Sequence, residues 1–184
     1  MKKIFVSLLL LPLISANAQD CKFEVNEVDN FTHTRTVITT PKQIALKTEP
    51  VSGENICGKD VSISIGNIKN VYLLYINLKY KEVSAFFHSP QKNGMIMLDN
   101  DSIVPITGVF EGFNTGLKGN SFTQKFTFTI SYETILLLEK YSIKEIRIVD
   151  MELNQKVDII PAKGKENIIK HMTQCVYSAM MGTK

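Results

Sequence analysis

Between Phe122 and Tyr132 the chain alternates: Phe126, Phe128, Ile130 and Tyr132 fall on one parity, and Lys125, Thr127, Thr129 and Ser131 on the other. Successive side chains of an extended chain point to opposite faces, so this run predicts a strand with its aromatics in a core and its hydroxyls in water. Val61-Ser62-Ile63-Ser64-Ile65 repeats the pattern. Val71 to Tyr80 begins apolar on both parities, as does a strand covered on both faces. Further strands are expected at 23–28, 34–39, 43–47, 83–87, 94–98, 102–110, 143–149 and 156–160. Turn chemistry stands at Asn93-Gly94 and at Asp99-Asn100-Asp101.

Helical signals are fewer. Ser131 is placed to cap a short helix running to Tyr141, with Glu133 in its first turn and Lys140 in its last. From about Lys165 to Met180, Ile168, Ile169, Met172, Cys175, Val176 and Ala179 fall on one helical face. The expected class is therefore α+β: a mostly antiparallel sheet, or two packed sheets, with a short helix near 132–141 and a C-terminal helix near 165–180 packed on the sheet.

The first eighteen residues read as a cleavable secretory signal. Lys2 and Lys3 precede the apolar stretch Ile4–Ile14, and Ala16-Asn17-Ala18 supplies the small residues a signal peptidase reads. A bilayer span needs about 20 apolar residues, whereas this run is shorter and Pro12 interrupts it. A lipid-modified Cys21 is disfavoured because Asp20 stands directly before it. Residues 19–184 then form a single β-rich globular domain with no further apolar run of spanning length, expected to be soluble in the periplasm or outside the cell. The full chain carries a net +3, but the leader holds two lysines and no acid, which leaves +1. Such a near-neutral domain has no global electrostatic reason to bind nucleic acid.

Constellations that would carry chemistry are weak. Gly112, Gly116, Lys118 and Gly119 lack the phosphate-loop spacing and feed a strand at Phe122 where an anion site requires a helix N-terminus. The loop 112–120 is expected as a hairpin tip. His33, His88 and His171 are scattered, with His171 expected on the solvated side of the last helix. Asp99 and Asp101 begin a calcium-like run that Ser102 and Ile103 end, so a turn is expected there. Glu24, Glu27 and Asp29 are split between strand faces. No G-x-S-x-G elbow occurs, nothing singles out an acid pair among Glu82, Asp99, Asp101 and Glu111, and the lack of tryptophan weighs against sugar chemistry. No metal or cofactor is expected. Asn30-Phe31-Thr32 fits an N-glycosylation acceptor and Asp101-Ser102-Ile103 a bacterial O-glycosylation signal; an unmodified turn is the expectation at Ser102.

Three pieces of the chain resemble a group of uncharacterised secreted proteins of Gram-negative bacteria. They are Cys21-Lys22-Phe23-Glu24-Val25-Asn26-Glu27-Val28-Asp29-Asn30-Phe31-Thr32, then Leu138-Glu139-Lys140-Tyr141-Ser142-Ile143-Lys144-Glu145-Ile146-Arg147-Ile148, and finally Cys175. The resemblance implies export and a shared fold, and no activity. Three cysteines allow three single pairings. Cys175 lies on the apolar helix face and Cys21 opens the first strand, and these two are the cysteines that match the resemblance. A Cys21–Cys175 disulfide with Cys57 left over is the expectation. Pairing of Cys57 with either one, or Cys175 as a buried small hydrophobe, remains open.

The functional expectation is an exported, non-catalytic protein that binds a protein or small-molecule partner. Its alternatives are a hydrolase whose site is assembled only in three dimensions, and a carrier with an apolar cavity between 71–80 and 122–132.

Overall fold

The computed structural model describes residues 20–45, 48–50, 60–80, 92–109, 122–150 and 155–182. The leader, Cys57, the expected strand at 83–87 and the loop at 112–120 lie outside the described residues. The strands are β1 (Phe23–Val28), β2 (Arg35–Thr39), β3 (Lys42–Ala45), β4 (Thr48–Pro50), β5 (Asp60–Ile68), β6 (Val71–Tyr80), β7 (Lys92–Leu98), β8 (Ile103–Val109), β9 (Phe122–Ile130), β10 (Ile143–Asp150) and β11 (Gln155–Ile159). The helices are α1 (Tyr132–Lys140) and α2 (Ile168–Met181). The class is thus α+β, a mostly antiparallel sheet with two helices, one of them C-terminal.

All described strands join one sheet, in the order β1-β2-β5-β6-β9-β8-β7-β10-β11-β4. Its two ends meet. β3 pairs with β5, β4 pairs with β11, and only two residues separate β3 from β4. The Ala162 amide also donates to the Ile44 carbonyl at 2.8 Å, continuing the β11 ladder onto β3. With β3 on β5 and β4 on β11, the ladder closes into an antiparallel barrel, and β1 and β2 extend from its seam. Closure removes exposed sheet edges. Among the described residues the outer edge of β1 has no partner strand, and it carries the exposed Glu24 and Glu27, charges that discourage edge-to-edge pairing.

One parity of strands β5 to β11 fills the interior. Ile65, Leu74 and Phe128 form one cross-strand row; Ile63, Ile76 and Phe126 form the next. Ile96, Ile146 and Ile159 form a third on the opposite wall. All belong to a single buried cluster, as expected of a barrel narrow enough for side chains to fill. Gly94 of β7 is required by close approach: a Cβ there would lie 2.8 Å from Ile106 Cγ1 and 2.9 Å from the Arg147 carbonyl.

The helices contribute to the same cluster. Ser131 caps α1 as expected, its Oγ accepting from the Thr134 amide at 3.2 Å. Tyr132 opens this helix and is exposed, where alternation alone places it in the core at the end of a strand. α2 starts three residues later than expected, as Lys165 bonds back to Ala162 while Glu166 and Asn167 are held at the start of β10. Ile143 N–H donates to the Glu166 carbonyl, and Ser142 Oγ donates to Asn167 Oδ1 at 2.6 Å. Ile135 and Leu138 of α1, with Ile169, Met172 and Val176 of α2, close the barrel end from which α1 departs.

The outer parity of β9 departs from expectation. Lys125 is exposed, but Thr127 is buried at 4% exposure, and its Oγ1 has no hydrogen-bond partner. Tyr75 lies directly opposite Thr127 and is itself buried, packed over Gly66. Phe128→Ala should cost about 3–5 kcal/mol by urea unfolding, the range for a core aromatic truncation. Thr127→Val should be neutral or stabilising by up to about 1 kcal/mol, because it removes a buried hydroxyl that gains no bond. A loss above that for the valine variant would show that the hydroxyl is satisfied in solution.

Candidate functional site

β2 and β3 run along the same edge of β5, Val37 and Ile38 facing Asn67 and Gly66, and Lys42 to Ala45 facing Ile63 to Val61. Thr40 and Pro41 form the bend between them, and a proline, which has no amide proton to donate, suits such a break. At the bend Thr39 Oγ1 takes over the ladder, accepting from Ile65 N–H at 3.0 Å and donating to Ile65 O at 3.1 Å. α2 packs against β2 and β5 beside this bend.

The Cys21–Cys175 disulfide crosses the same region, with Cα atoms 5.6 Å apart. The expected pairing is present in the structure, and Cys57 lies outside the described residues. A further bond, from Thr40 N–H to the Lys22 carbonyl at 3.0 Å, holds the chain next to Cys21 against the β2–β3 bend.

These constraints leave a cleft of about 370 Å³, lined by Asp20, Lys22, Thr39, Lys42, Ile168, His171, Met172 and Cys175. The four α2 residues follow the i, i+3, i+4, i+7 spacing of one helical stripe. Met172, Cys175 and Thr39 are buried and make the floor. Lys22, Lys42 and His171 form a basic rim, and Lys22 approaches Asp20 at 3.5 Å. His171 is exposed, as expected, but borders a recess that the sequence pattern does not reveal.

Two other recesses have charges balanced within them. One of about 280 Å³ on the outer face includes Glu24, Tyr75, Asn77 and Lys125, with Lys125 Nζ 4.3 Å from the Tyr75 ring centre. Another of about 160 Å³ lies among Met95, Met97, Ile103, Glu145 and Arg147. There Arg147 binds Asp158 through two nitrogens at 2.6 and 2.8 Å and Glu145 at 3.1 Å, a cross-strand fork that raises the guanidinium pKa. The Asp158 pairing, directly across β10 and β11, reads as sheet reinforcement.

Among the described residues the remaining sequence candidates do not converge. Asp29 accepts from the Phe31 and Thr32 amides at 2.7 and 2.9 Å, which holds its carboxyl below the usual range and makes it a turn residue. His33 sits in that turn with φ 54°. Asp101 pairs with Lys144 at 2.7 Å, and Ser102 Oγ donates to Asn100 Oδ1 at 2.6 Å, so Asp99–Ser102 forms the expected turn. Glu82, His88 and Glu111 lie outside the described residues. Cys21 and Cys175 are committed to the disulfide and offer no thiolate to a histidine. Among the described residues no cluster of three His, Cys, Asp or Glu side chains is placed to hold a metal. None of their helices is long and apolar enough to cross a membrane. No family model, curated protein or solved structure matches the chain.

Reduction should destabilise the domain strongly. The bond joins positions 154 residues apart, for which the chain-entropy model gives about 5 kcal/mol. Thermal melts with and without dithiothreitol should differ accordingly, and equal melts would show that the bond does not form. Thr39→Val keeps the shape but strips Ile65 of both partners, and should cost about 1–3 kcal/mol in denaturant titration. An unchanged midpoint would mean that other groups satisfy Ile65.

Proposed function

We propose that this is an exported, non-catalytic binding protein of the periplasm or the cell exterior, and that it engages its partner through the cleft beside the Cys21–Cys175 bond. The observation that carries the reading is the composition of that cleft. A basic rim over a largely apolar floor suits recognition by charge and shape. The disulfide fits an oxidising compartment, and the leader-like first eighteen residues supply the route to one. The resemblance to secreted proteins of Gram-negative bacteria agrees with export.

Protein recovered from the periplasm or medium of its own cells should begin at Gln19. Native mass spectrometry of that material should show an added small molecule or a second polypeptide. Protein retained in the cytoplasm with an intact leader would sink the export reading. A bare chain that turns over ester or peptide substrates would sink the binding reading in favour of a hydrolase.

A further inference from the structure

The cleft differs from its neighbours in where its charge is left over. Lys22 has Asp20 at 3.5 Å, while among the described residues the Lys42 side chain has no hydrogen-bond or ion-pair partner. His171 adds a third nitrogen-bearing group to the rim, and among the described residues Asp20 is the one acid in the lining. Beneath them, Ile168, Met172 and the disulfide offer apolar and polarisable surface. In the recess at Arg147, by contrast, the cation is already forked to two carboxylates.

A volume of about 370 Å³ falls at the lower end of small-molecule sites, which run from about 300 to 1,000 Å³. A site of this size, with an uncompensated cation at its mouth and apolar groups below, discriminates by charge sign and by a short apolar body. A neutral or cationic ligand would leave Lys42 without a counter-charge. A purely inorganic anion would leave the apolar floor unfilled. Resting on the binding reading above, we propose that the cleft takes a monomeric organic anion. Its carboxylate or sulfonate would sit between Lys42 and Lys22, and its apolar body against Ile168 and Met172.

The test uses the full exported chain with its disulfide intact, and the anionic fluorophore 8-anilinonaphthalene-1-sulfonate as probe. Saturable binding is expected, displaced by dodecanoate and not by dodecyltrimethylammonium, which has the same tail with the opposite charge. Lys42→Glu should weaken the probe and dodecanoate by about tenfold, equivalent to about 1.4 kcal/mol. Lys125→Glu, in the outer-face recess, should leave both unchanged. Lys42→Gln, with a smaller loss in the same direction, serves if the charge reversal alters the thermal melt.

The inference is overturned if the cationic amphiphile competes as well as dodecanoate, or if the probe does not bind. An unaltered affinity in a folded Lys42 variant also overturns it. So does binding to phosphatidylglycerol vesicles without binding of monomeric dodecanoate, which would place the anion in a membrane surface. In each case the broader binding reading still stands or falls on what co-purifies with the native protein.

Discussion

The architecture depends on three short strands, β2, β3 and β4, that together pair on both of their edges. On one side β2 and β3 follow β5; on the other, β2 takes β1 while β3 and β4 take the segment around β11. Without them the first and last barrel strands would present open rows of amides and carbonyls, which are costly to bury and hazardous to expose. With them, the apolar parity of strands β5 to β11 faces one enclosed space. The interior rows around Phe126 and Phe128 become a single core.

The same strands also create the cleft. A strand that serves β1 and then β11 on one edge must bend where the partner changes, and the bend falls at Thr40-Pro41. The Thr39 hydroxyl satisfies the Ile65 amide and carbonyl there, so the ladder is interrupted without leaving buried polar groups unpaired. α2 fills most of the space beside the bend, and the disulfide fixes Cys21 against it. What remains open is a recess whose walls come from the segment Asp20–Lys22, a strand corner and a helix face. Its basic rim follows from that meeting, since Lys22, Lys42 and His171 are far apart in sequence.

The charged clusters, exposed at Asp29 and Asp101 and half-buried at Arg147, show why residue type alone points to sites that are not there. Asp101 and Asp29 lie in tight turns, where a short carboxylate accepts amides or meets a nearby lysine. Arg147, Asp158 and Glu145 cluster because β10 and β11 bring them to neighbouring positions of one sheet. Such groups are charged for local or solubility reasons, and their contributions at exposed positions are small. The cleft, by contrast, joins the α2 stripe to Asp20, Lys22, Thr39 and Lys42, a meeting that no local spacing displays.

Element type was legible in the residues because it is local. Alternation in Val61–Ile65 and Phe122–Ile130, the Ser131 cap and the apolar stripe of α2 each depend on a period of two or on 3.6 residues per turn. The Cys21–Cys175 pairing was legible in part, since helix periodicity turns Cys175 inward. The exact extent of the elements was less so: Tyr132 obeys the strand's alternation, yet the Ser131 cap assigns it to α1. Closure of the barrel was not legible, because it depends on Ile44 meeting Ala162 and on β4 meeting β11, contacts between residues more than a hundred positions apart. Nor was the burial of Thr127, which follows from Tyr75 lying opposite it across β6 and β9. Periodicity states which face of an element is apolar; only the assembled backbone decides what that face meets, and which polar groups are left around the gap.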